Sequence, residues 1–122
     1  MYYYERIKIA VKLINLTDKT IQVYDKCTGD IVTLRPESHV LPQQPTKEDI
    51  EENVYYIFNK KVANRLKKSG RSLRDIAIIH SRSHGRKDTE ITTLVWGENI
   101  QTEVGFCSKK PHHHAPKRFA GR

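Results

Sequence analysis

The chain has 122 residues, 37% hydrophobic and 30% charged, with a net charge of +8. That length suits one compact domain with a modest core, and no apolar run approaches the roughly 18 residues that a membrane-spanning helix needs. The opening Met1-Tyr2-Tyr3-Tyr4-Glu5-Arg6 has neither the basic head nor the smooth apolar run of a secretory signal, so the expected location is the cytoplasm in which the chain is made.

In chain order, Ile7, Ile9, Val11 and Leu13 alternate with Lys8, Ala10 and Lys12, which predicts a strand over about residues 6 to 15 with one buried face. The same alternation at Thr20 to Tyr24, a polar glycine-bearing link and Ile31-Val32-Thr33-Leu34 predict a hairpin. Pro36, Pro42 and Pro45 make 35 to 45 a loop or edge. Thr46 caps a brief helix rich in acids. Val54-Tyr55-Tyr56-Ile57-Phe58 is the most β-prone run. Asn59 then caps a helix with an apolar stripe of Val62, Ala63 and Leu66, ending at Gly70. Asp75 to Ile79 reads as a buried strand, His80 to Lys87 as a polar loop, and Glu90 to Trp96 and Ile100 to Phe106 as strands around a Gly97-Glu98-Asn99 turn. The expected fold is α+β: a mostly antiparallel sheet with one principal helix, a single ligand-binding domain over 1–107 and a basic, proline- and histidine-rich tail over 108–122.

Charge is unevenly placed along the chain. Residues 1 to 53 carry −2, residues 54 to 87 carry +9, residues 88 to 107 carry −4 and the tail carries +5. The +9 segment creates a local field for anions. Within it, His80-Ser81-Arg82-Ser83-His84-Gly85-Arg86 concentrates guanidiniums, imidazoles and hydroxyls that suit phosphate oxygens. Arg71 and Arg74 either join that surface or pair with Asp75 and nearby glutamates. Tyr56 and Phe58 share one face of their strand and offer a flat apolar surface for a purine, or else pack in the core, while Tyr55 points the other way. Asn59 and Asn64 are candidates for reading an adenine edge, with helix capping the plainer role for Asn59.

For catalysis the chain contains no GxSxG, HExxH or Walker pattern, and an enzyme is not expected; His80 and His84 as a general acid and base are the residual catalytic reading. His112-His113-His114 lies in an extended tail without further ligands, so no metal or cofactor is expected. Cys27 and Cys107 have no CxxC partner and read as free thiols.

Leu13-Ile14-Asn15-Leu16-Thr17 followed by a hairpin resembles the opening of a family of small phage proteins that begin Leu-Ile-Asn-Leu-Thr-Pro-His. Val54-Tyr55-Tyr56-Ile57 before a Val62-Ala63 helix, Arg71 to Ile76, and Glu103-Val104-Gly105-Phe106 resemble later parts of that family, so the likeness spans about residues 11 to 106. Asp18-Lys19 stands where the family has Pro-His. In size and layout the chain also resembles phage Thoeris anti-defence sponge proteins of the first type. That resemblance implies a non-enzymatic homo-oligomer that captures a cyclic ADP-ribose isomer made by bacterial TIR-domain enzymes, and sometimes cyclic oligonucleotides. The rival reading is a binder of nucleic acid or of a nucleoprotein complex, such as an anti-CRISPR protein, working through the basic segment and tail.

Overall fold

A computed structural model describes residues 7–80, 84–86 and 89–108. Its elements are β1 (Lys8–Ala10), β2 (Lys12–Asn15), β3 (Ile21–Tyr24), β4 (Ile31–Leu34), α1 (Lys47–Glu51), β5 (Val54–Phe58), α2 (Lys60–Lys68), β6 (Ile76–Ile79), β7 (His84–Arg86), β8 (Thr89–Ile91), β9 (Leu94–Trp96) and β10 (Asn99–Phe106). No helix among the described residues is long and apolar enough to cross a membrane.

Six strands form one sheet in the order β1-β10-β9-β6-β5-β2, and β3-β4 and β7-β8 are separate two-stranded ladders. The expected first strand is present but breaks at Val11, and the two halves pair at opposite ends of the sheet order: β1 with β10 and β2 with β5. A single continuous segment therefore joins both ends, and the sheet closes on itself as a five-membered ring of strands. Closure is pinned at the break. The Ala10 carbonyl accepts the Cys107 N–H at 2.9 Å, while the Val11 N–H donates to the Asn53 carbonyl at 2.9 Å. Asn53 holds a left-handed φ of 57°, a conformation that asparagine tolerates better than most residues. Its side-chain amide donates to the Ile9 carbonyl at 3.1 Å, on the other side of the break.

The α+β class holds, but the expectation of a mostly antiparallel sheet does not. β1–β10, β2–β5 and β5–β6 are parallel, and β6–β9 and β9–β10 are antiparallel. One of these pairings follows from α2, which returns the chain to the start of the sheet and sets β6 parallel to β5, as a strand–helix–strand unit does, and the other two come from the halves of the broken first strand pairing with β10 and β5. The stretch from His80 to Lys87, read as loop, contains β7, and the expected strand over Glu90 to Trp96 is divided between β8 and β9.

Strand alternation sorts the core into two layers. Ala10, Leu13, Ile57, Ala77, Leu94, Val104 and Phe106 face inward, covered by Ile21 and Val23 of the β3–β4 hairpin. Ile14, Val54, Tyr56, Phe58, Ile76, Ile78 and Val95 face the other way and pack under Ala63, Val62 and Leu66 of α2. α2 starts where the Asn59 side chain accepts the Val62 N–H, and it ends in a left-handed Gly70 (φ 92°). There Gly70 N–H donates to Lys67 C=O and Arg71 N–H to Leu66 C=O, both at 3.0 Å, the paired bonds of a Schellman stop.

One expectation fails at the hairpin. Cys27 and Cys107, read as free thiols, form a disulfide with their Cα atoms 5.1 Å apart. Their sequence separation is 80, so spacing gave no cue; the ring brings the end of β10 beside the turn after β3, where Asp25 bridges Phe106. Burial works to raise the Asp25 carboxyl, but hydrogen bonds from the Ser108 hydroxyl and from the N–H groups of Cys27, Ser108 and Thr28 outweigh it and hold the group below the usual aspartate value.

Candidate functional site

The ring is open at the end where β1, β5 and β6 begin and β9 finishes. There the inward-facing row ends in two half-buried aromatic rings, Tyr55 and Trp96, packed against the inner core. Both border a cavity of about 350 Å³ whose rim carries Lys8, Arg74, Asp75 and Glu98. That volume lies within the range of small-ligand sites.

Each rim group has a definable state. Lys8 Nζ lies 4.2 Å from the Trp96 ring centroid, within cation–π range. The Trp96 indole N–H donates to the Arg74 carbonyl at 3.2 Å, which fixes the ring and leaves the exposed Arg74 guanidinium outside the core. Asp75 is buried and neutralised by Arg71, whose guanidinium grips both carboxylate oxygens at 2.9 Å. Glu98 is exposed. Burial pushes the Tyr55 hydroxyl above its ordinary value, and the charges of Asp75 and Glu98 add to the shift, so Tyr55 is a neutral donor at physiological pH. With Asp75 answered by Arg71, the described residues of the mouth offer two cations and one acid around two aromatic faces.

The structure scatters the residues singled out from sequence. Tyr56, 2% exposed, donates its hydroxyl to Asp49 Oδ2 at 2.6 Å and packs its ring 5.3 Å from that of His39. Phe58 is buried beneath α2. Neither ring is open to a base, because the face they share is the one that α2 and α1 cover. Asn59 spends its side-chain oxygen on the helix cap. Arg71 is buried, bonded to Asp75 and to the Pro42 carbonyl at 2.8 Å, and also donates to the Ser72 carbonyl; of its two open readings, pairing with Asp75 is the one realised. Among the described candidates, Arg74 reaches the mouth. Asn64 is exposed and lines a different groove, beside α2.

His80 is exposed and leaves from the opposite end of β6, about 13 Å from the mouth at the usual rise for four strand residues. Ser81 and Arg82 lie outside the described residues. His84 and Arg86 fall on β7, paired with Ile91 and Thr89. His80 and the mouth are thus separate places. Sequence reading passed over Lys8, Trp96 and Glu98; the one available signal was that Tyr55 alternates away from Tyr56, and a ring pointing away from the helix-covered face must border the interior.

Leu13 to Thr17, the stretch that carries the phage-protein resemblance, has a structural role. Asn15 is fully buried and donates to the Lys19 carbonyl at 2.7 Å and the Leu34 carbonyl at 2.9 Å, while its oxygen accepts from the Thr17 N–H. It latches the hairpin to β2. Compared with known proteins, the chain matches no protein-family model, no curated protein and no solved structure.

Proposed function

We propose that the protein is a non-enzymatic binder that captures a phosphate-bearing cyclic nucleotide of the cyclic ADP-ribose type at the mouth of the strand ring. The observation that carries this reading is the pairing of Tyr55 and Trp96 with Lys8 and Arg74 around one cavity. A nucleotide needs a flat apolar surface for its base and charge-assisted donors for its phosphates. Trp96 supplies the surface, Arg74 a forked donor, and Lys8 a flexible ammonium that can leave the ring face for a phosphate as the base arrives.

In this role the protein acts as a phage anti-defence sponge: it holds an immune signal and releases it unchanged. Tight capture favours a closed and preorganised pocket, so a homo-oligomer that narrows the open mouth belongs to the proposal. Incubating the protein with cyclic ADP-ribose, removing free ligand and heating the protein should release the ligand intact, as read by mass spectrometry. Recovery of ADP-ribose in its place would mean hydrolysis and refute sequestration. Absence of any retained nucleotide would refute binding.

A further inference from the structure

We infer that the outer face of α2 binds a single strand of nucleic acid, in a groove that shares Glu98, but neither Lys8, Arg74 nor Trp96, with the lining of the mouth. Five of the nine residues of α2 are Lys or Arg and none is acidic. Lys60, Asn64 and Lys67 form one row at i, i+4 and i+7, and Lys61, Arg65 and Lys68 form a second. All six are exposed. Each row extends about 10 Å along the helix axis, and the Lys61–Arg65 and Arg65–Lys68 neighbours repel each other at helical spacing. The buried ion pair next to this helix, Arg71 with Asp75, uses none of the five cations.

Charge alone would describe a solvated face; the second feature is the groove beside it. Lys60, Asn64 and Lys67 line a cavity of about 380 Å³ together with the apolar Leu73, Ile78 and Ile100 and one acid, Glu98. Ile100 is 52% exposed, one of five large apolar side chains left exposed among the described residues. A cationic row beside apolar side chains fits a strand whose backbone follows the lysines while an unpaired base rests against Leu73 and Ile100. A duplex presents phosphates but keeps its bases stacked inside, and would leave the apolar side chains unused.

The test is fluorescence anisotropy of the full chain with a labelled twelve-nucleotide oligothymidine strand at 50 mM salt, alongside a twelve-base-pair duplex. The strand should bind more tightly than the duplex. K60E/K67E should weaken strand binding at least tenfold and lower the salt slope by about 1.4, since each phosphate contact on a single strand contributes about 0.7. Asn64→Lys, which extends the row, should tighten binding about threefold. W96A should leave strand affinity unchanged, and cyclic ADP-ribose should not displace the strand. Unaltered binding by K60E/K67E, a preference for duplex, or displacement by cyclic ADP-ribose would each overturn the inference; the first would assign the affinity to the five tail bases instead.

Discussion

The ammonium of Lys8 stands 4.2 Å from the centre of the Trp96 ring, although the two residues sit on β1 and β9 with β10 between them in the sheet. The contact spans the open mouth of the ring and depends on the chain having closed. Lys8 is held there by the parallel pairing of β1 with β10, in which it sits opposite Val104.

Among the described residues Glu98 is the unanswered acid at that mouth, since Asp75 is bound by Arg71. A carboxylate beside an incoming phosphate weakens binding. Glu98→Gln should therefore tighten cyclic ADP-ribose binding about twofold to fivefold, the scale of a single exposed charge contact, measured by isothermal calorimetry. Weaker binding would mean that Glu98 contacts the ligand as an acceptor.

Arg71→Ala separates a structural arginine from a ligand-binding one. Removing it strands Asp75 as a buried charge, which costs about 3–5 kcal/mol, and denaturant unfolding should show a loss on that scale. Stability close to that of the wild type, with nucleotide binding abolished, would return Arg71 to the ligand site.

Burial, the hydrogen bond to Asp49 and the charge on that carboxylate raise the Tyr56 hydroxyl well above the usual tyrosine value. A group whose folded value is raised contributes stability that is complete below its unfolded value, about 10, and lost as pH climbs beyond it. Tyr56→Phe should lose stability at pH 7 but decline less steeply above pH 10. Parallel declines for the two proteins in denaturant titrations at pH 9, 10 and 11 would contradict this origin.

The Cys27–Cys107 disulfide closes a loop of 80 residues. In the chain-entropy account such a closure stabilises by up to about 4.5 kcal/mol. Reduction should lower the melting temperature by several degrees, and Cys27→Ser should reproduce the drop. A melting curve insensitive to reductant would show that the bridge contributes nothing to the folded chain.

Local pattern made much of the fold legible. Period-two alternation marked β3, β-branched apolar composition marked β4, Asn59 and Gly70 marked the limits of α2, and Gly97 marked the β9–β10 turn, where a Cβ would come 3.0 Å from the Ile76 carbonyl oxygen. What was not legible is long-range. Val11 looks like any other residue in an alternating strand, and only the pairing of its two flanks with β10 and β5 shows that the sheet closes. The same closure joins Cys27 to Cys107 and brings Lys8 to Trp96, over separations that no local motif reports. Composition pointed to phosphate-binding groups, but burial decides which remain available, and it consumed Tyr56, Phe58 and Arg71 while leaving Arg74.

The central claim is that Trp96, between Lys8 and Arg74, receives the base of a small nucleotide. Calorimetric titration of cyclic ADP-ribose into the wild type and into Trp96→Ala tests it most directly. Loss of one stacked base costs about 1–3 kcal/mol, so the variant should bind roughly tenfold or more weakly, with its fold intact by circular dichroism. Equal affinity in a folded Trp96→Ala protein, or no heat of binding in the wild type, would contradict the account.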